Sequence, residues 1–261
     1  MSSLKSQRAA VGRILTEMGR ESQRSGAAQL GSSFSSDVRA DELIASDPNA
    51  FLFGVLCTQG IRAESAWRVP IEIQDRVGSI SLPYLVEHAS DLRAAFKRQP
   101  ALHRFVETVP GWIVSAARRL LDEYAGSAAN IWPAGAHRLT VLERLCAFDG
   151  IGRKKSVMAT EILVRHFGVD LAGDHCGQVA FDVHVRRVFL RSGVATADTP
   201  KSIEEAAARM CPPSPGTLDL PAWLIGRQYC RPRQPRCAEC PLSGVCARLV
   251  EHDPAGVGAR R

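Results

Sequence analysis

Four of the chain's eight cysteines, Cys230, Cys237, Cys240 and Cys246, fall in one short, proline-bearing loop with the spacing Cys-x6-Cys-x2-Cys-x5-Cys. A packed helix has no need of thiols at that density. Four thiolates converging on one point need a cation or a cluster to hold them, because unpaired buried anions are very costly. Two disulfides would suit an exported chain, and nothing in this sequence marks export. Zinc usually takes its cysteines as two short hooks with a longer gap between them, whereas here one hook is six residues wide. A [4Fe–4S] cluster accommodates such a wide single loop. The spacing favours the cluster, with zinc and free buried cysteines as the alternatives.

The remaining chain, 261 residues in all, can bury one large core or two modest ones. Residues 50–57 are apolar on every side, which marks a buried segment without saying whether it is helix or strand. Its surroundings decide. Ala, Arg, Leu and Glu dominate, and β-branched alternation is nearly absent. Ile113, Ala117, Leu120, Leu121 and Tyr124 recur at helical spacing, as do Leu139, Leu142, Leu145 and Cys146. Turn signals stand at Gly78, Pro100, Pro110, Gly126 and Gly150. An all-α fold is therefore expected. A first helix is predicted over residues 4–19, followed by a Ser/Gly-rich linker over residues 20–37. That helix bears arginines as a transit sequence does, but Glu17 and Glu21 count against organelle targeting. No apolar run is long enough to span a membrane, and no signal-peptide core is visible, so a cytoplasmic, nucleoid-associated protein is expected. A formal charge of +6 suits a polyanionic partner, or merely a soluble basic protein.

Residues 145–159 contain the second informative stretch. A helix ending at Phe148, a Gly150-Ile151-Gly152 turn and a helix opening at Arg153 make a helix-hairpin-helix. The glycines permit a tight turn, and their N–H groups with the following helix N-terminus form an anion site that fits a DNA phosphate. Lysine is scarce, occurring only at Lys5, Lys97, Lys154, Lys155 and Lys201, yet two fall together straight after this turn. An amine can lose its proton where a guanidinium cannot.

The run Phe148-Asp149-Gly150-Ile151-Gly152-Arg153-Lys154, taken with the cysteine loop, resembles the endonuclease III family of DNA glycosylases. The hairpin of that family reads Leu-Pro-Gly-Val-Gly-Arg-Lys and carries the catalytic lysine, which matches Lys154; Asp149 stands where the family commonly has proline. Residues 179–189 resemble the family's Val-Asp-Thr-His segment and put Asp182 at the catalytic aspartate. The stretch between Lys154 and Asp182 is about ten residues longer than the family's, and is either an insertion that reshapes substrate choice or an exposed loop of no consequence. Residues 56–64 resemble the segment whose glutamine fills the hole left by a flipped base, with Gln59 as the match. Residues 109–117 match the loop whose apolar tip wedges into the stack, so that Trp112 is either that wedge or a core residue.

The resemblance implies a bifunctional glycosylase and abasic-site lyase acting on double-stranded DNA with damaged bases, oxidised pyrimidines foremost, or abasic sites. It implies a monomer holding a [4Fe–4S] cluster. Asp182 would stabilise cationic character at the sugar, and Lys154 would attack C1′ to give a Schiff base. Gln59, Trp112, Gly150, Gly152, Arg153, Arg231, Arg233 and Arg236 would meet the DNA, and Cys230, Cys237, Cys240 and Cys246 the cluster. Two helical domains are expected: residues 40–166 as a bundle with the hairpin, and residues 1–39 with 167–261 as the cluster domain. Two alternatives remain: a monofunctional mismatch or adenine glycosylase, whose catalytic Glu this chain replaces with Gly54, and a non-catalytic DNA-binding module. His184 is read as structural, and Cys57, Cys146, Cys176 and Cys211 as small core or loop residues.

Overall fold

The helix over residues Pro48–Cys57 is the centre of the larger half of the molecule. Asp47 caps it, accepting from the Asn49 N–H at 2.8 Å, and Pro48 occupies its first turn, where no N–H is needed. Every side chain from Ala50 to Cys57 is buried, as an all-round apolar segment requires. Helices over Val38–Ser46 and Ala63–Val77 pack on it. Gly54 is needed there, because a Cβ on it would lie 2.4 Å from the Trp67 ring.

The computed structural model describes residues 2–24, 34–173 and 178–249. Residues 25–33 of the expected linker, residues 174–177 of the longer segment (Cys176 among them) and the tail from residue 250 lie outside the described residues. Among the described residues there are twelve α-helices and no strand beyond an isolated bridge between His137 and Ala172. In chain order they are α1 (Ser2–Arg24), α2 (Val38–Ser46), α3 (Pro48–Cys57), α4 (Ala63–Val77), α5 (Leu82–Glu87), α6 (Ala89–Lys97), α7 (Thr108–Glu123), α8 (Arg138–Cys146), α9 (Arg153–Arg165), α10 (Val183–Arg191), α11 (Pro200–Met210) and α12 (Asp219–Gln228). None is long and apolar enough to cross a membrane.

The chain divides into two compact units, Gly26–Gly173 and Met1–Ser25 with Asp174–Arg261. The first holds α2 to α9 around a core led by Phe51, Phe53, Leu56, Phe96, Leu120 and Leu145. A buried ion trio joins α8 to α9 within it: Glu161 takes Arg138 on one oxygen and Arg165 on the other, the latter at 2.6 Å. In the second unit Val11 and Leu15 of α1 pack with α11, α12 and the turn Pro215–Leu218. Close approach again demands glycine, since a Cβ on Gly226 of α12 would lie 2.6 Å from the His184 carbonyl oxygen at the start of α10.

Three local expectations are corrected. The first helix runs on to Arg24, well into the stretch read as linker, because nothing between Arg20 and Arg24 breaks a helix and Ser22 Oγ donates back to the Met18 carbonyl at 2.8 Å. Pro110 is not a turn but the third residue of α7, a position whose N–H has no intrahelical partner in any case. The helix before the hairpin ends at Cys146 rather than Phe148.

Candidate active site

The hairpin is set by α8, α9 and the turn between them. Gly150 has φ +79°, and a Cβ there would lie 2.5 Å from the Trp112 indole, so both conformation and space require glycine. Gly152 caps α9 in extended conformation, and Gly152, Arg153 and Lys154 are exposed. One face of α7 supports the turn. Trp112 lies half-buried against Gly150, Ser115 Oγ donates to Asp149 at 2.7 Å, and the Arg119 guanidinium donates to the Ala147 carbonyl and lies over the Phe148 ring. The Asp149 carboxylate thus holds the turn through a side-chain bond to α7.

Behind the exposed Lys154, Lys155 is buried, with Nζ donating to the Leu56 carbonyl at 2.7 Å and lying 5.3 Å from the Trp112 ring centroid. Burial, more than any neighbour, brings its pKa down to about 8. Leu56 is the penultimate residue of α3, and Gln59 follows two residues after the helix ends, exposed. Each end carbonyl of α3 has a partner. Val55 accepts from the Thr58 N–H and hydroxyl, Leu56 from Lys155, and Cys57 from His103 Nε2 and the Gln59 N–H. His103 accepts the Phe105 N–H on Nδ1 and burial lowers its pKa, so it is neutral and carries its proton on Nε2. Cys57 is fully buried, and its thiol is pushed up to about 12 by that burial.

In the other unit, Asp182 is the N-cap of α10, buried, with Oδ1 accepting from the His184 N–H at 2.8 Å. Two buried arginines of α10 reach the cysteine loop. Arg187 donates to the carbonyls of Cys230 and Gly226 and meets His184 Nδ1 at 3.0 Å, which gives His184 a structural partner. Arg191 donates to the Arg231 and Pro232 carbonyls and approaches Cys230 Sγ at 3.8 Å.

Cys230, Cys237, Cys240 and Cys246 are all half-buried free thiols. Cys240 Sγ accepts from the Leu242 N–H and Cys246 Sγ from the Arg248 N–H, both at 3.4 Å. Burial raises both thiols, the N–H groups act the other way, and the neighbouring cysteines raise them further as like charges. Four half-buried thiols on one loop that act on one another as like charges, supplied with N–H donors and a guanidinium, have the chemistry of a thiolate-bound centre whose positive charge would offset that repulsion. Among the described residues no three His, Cys, Asp or Glu side chains already stand in metal-holding geometry. Of the loop arginines, Arg231 and Arg233 are exposed, and Arg236 is exposed but bound by Glu239. Cys211 is buried, whereas Cys146 is exposed and meets Ser156 Oγ at 3.2 Å.

No family model matches the chain. Among solved structures it is similar to endonuclease III trapped as a covalent intermediate with DNA, an estranged-adenine complex, at TM-score 0.59 and 18% identity, covering 80% of this chain and 92% of that one. It is equally similar to a thermostable thymine-DNA glycosylase, at TM-score 0.59 and 14% identity over 95% and 98% of the two chains. It has the endonuclease III fold. In sequence it is 29% identical to endonuclease III of Bacillus subtilis (strain 168) over 120 residues, 45% of this chain and 50% of that one. It is 30% identical to endonuclease III of Synechocystis sp. over 135 residues, 51% and 53%. The chain spans about half the length of these endonuclease III relatives. Lys155, Ser115 and Arg119 are the residues that sequence reasoning passed over. Lys155 shares a helical face with Ala159 and Leu163, both core residues, and that spacing was available.

Proposed function

We propose that the protein is a bifunctional DNA glycosylase and abasic-site lyase that binds double-stranded DNA and removes damaged bases, oxidised pyrimidines foremost. The observation carrying this reading is the hairpin: an exposed Gly152-Arg153-Lys154 run opens α9 on a turn held from behind by α7, in a chain with the endonuclease III fold. The turn's N–H groups and the N-terminus of α9 take a phosphate, and Gln59 enters the space of the displaced base. The Asp182 carboxylate stabilises the positive charge that develops on the sugar as the base–C1′ bond breaks. The Lys154 amine, once it has given up its proton, attacks C1′; the ring C1′–O4′ bond opens to leave a Schiff base, which loses a C2′ proton, and β-elimination breaks the C3′–O bond of the strand.

Cys230, Cys237, Cys240 and Cys246 would hold a [4Fe–4S] cluster. Bound there, it supplies structural charge and cross-linking, fixing Arg231 and Arg233 for phosphate contact. Trp112, packed against Gly150, acts in this reading as the support under the hairpin. A monofunctional adenine glycosylase is the weaker reading, because the buried position where those enzymes keep an acid is Gly54, closed over by Trp67. The protein would act as a monomer in the cytoplasm, at the nucleoid.

The test is release of the free base from duplexes each carrying one oxidised pyrimidine, with Asp182→Asn alongside. Release by the wild type, cut by about a hundredfold or more in the variant while DNA binding is kept, is the expected result. No release from any damaged duplex by cluster-replete protein would reject the glycosylase.

A further inference from the structure

We propose that Lys155 is a positioning residue for the lyase step: its buried ammonium ties the hairpin carrying Lys154 to the end of the helix that leads into Gln59. This rests on the reading of Lys154 as the attacking amine. Two DNA-facing segments, far apart in sequence, meet at one atom. Lys155 Nζ bonds the Leu56 carbonyl at 2.7 Å, three residues before Gln59, and Lys155 itself is the neighbour of Lys154 in the first turn of α9. Trp112 touches both segments, its ring 5.3 Å from the same ammonium and packed against Gly150. A helix C-terminus carries partial negative charge, and an indole face attracts a cation, so both partners favour the charged form.

The other titratable groups around it give no counter-charge. On α3 the Cys57 thiol is pushed up to about 12 and is neutral. His103, in the segment packed at the end of α3, is held neutral by burial. Lys154, on α9 itself, repels it. Among the described residues no carboxylate faces Lys155. A chain that keeps so few lysines thus buries one without an ion partner, at a cost in stability, where arginine's fork or an apolar side chain would otherwise serve. Such a residue is explained by what it holds in place. The Gln59 loop is fixed from the other side as well: Gly60, at φ +75°, has the Phe105 ring against it, so that a Cβ would meet it at 2.9 Å. With Lys155 in place, the base-displacing glutamine and the attacking lysine share one rigid frame.

The experiment is the rate of borohydride trapping on duplex DNA with one abasic site, from pH 7 to 9.5, for cluster-replete wild type, Lys155→Met and Lys154→Ala. The methionine keeps the volume and the contact with Trp112 and removes the charge. Expected is a rate about tenfold below wild type at pH 7 for Lys155→Met, with unchanged DNA affinity. As wild-type Lys155 loses its own proton that gap should narrow to about threefold by pH 9.5, since a neutral hydrogen bond keeps about half the strength. A gap that stays constant with pH makes Lys155 a mere filler of space and overturns the proposal, as does no gap at all while Lys154→Ala is inactive. Loss of trapping in Lys155→Met with trapping retained in Lys154→Ala would make Lys155 the nucleophile instead. Trapping by neither the wild type nor any variant would strike at the lyase reading itself, a different failure.

Discussion

Two adjacent lysines of this chain have opposite environments. Lys154 is exposed at the hairpin, and Lys155 turns inward to Leu56 and Trp112. The sequence shows the pair, and the spacing of Lys155 with Ala159 and Leu163 along α9 is its one sign of the division. Lys155 also has a consequence for stability. Its pKa near 8 lies below the ordinary lysine value, so the unfolded chain binds its proton more tightly than the folded one. The burial cost is present in full below about pH 8 and is relieved as pH rises toward 10.5. Urea midpoints of the wild type measured against Lys155→Met should therefore shift in favour of the wild type between pH 7 and 10, by on the order of 2 kcal/mol after allowance for partial exposure. A difference that does not move with pH would contradict this. Trp112 is a second residue on which sequence alone left two roles. Its packing against Gly150 predicts that Gly150→Ala costs about 2–4 kcal/mol, and that the cost is smaller in a Trp112→Ala background. Thermal unfolding of the four proteins checks it.

At the scale of elements, the helical pattern was readable because Ile113, Ala117 and Leu120 all enter the core at the spacing they showed. The turn of the hairpin was readable from Gly150 and Gly152. Its support by α7 was not, since Trp112, Ser115 and Arg119 contact residues far along the chain and look like an ordinary amphipathic face. Likewise α10 reads as a basic helix, whereas Arg187 is fully buried and satisfies carbonyls at both Gly226 and Cys230. Arg187→Met should leave those carbonyls unpaired, costing about 3 kcal/mol and loosening the cysteine loop. Lower urea stability together with faster loss of bound iron is the expected outcome; unchanged values for both would show that the loop holds itself.

The whole molecule is built from two units, and the chain crosses between them so that α1 folds with the C-terminal third. The resemblance implies a cluster domain that joins residues 1–39 to 167–261, whereas composition gives no such sign, because α1 carries only a narrow apolar stripe that gains meaning beside α11 and α12. The cysteine loop belongs to this unit, and purified protein should contain four irons and four sulfides with broad visible absorbance. A colourless zinc protein would reject the cluster. The most direct measurement is borohydride trapping on a single abasic site with wild type and Lys154→Ala side by side. A covalent adduct with the wild type is expected, and none with Lys154→Ala, which should still bind the DNA. An adduct of equal yield from both proteins, or none from cluster-replete wild type, would contradict this expectation.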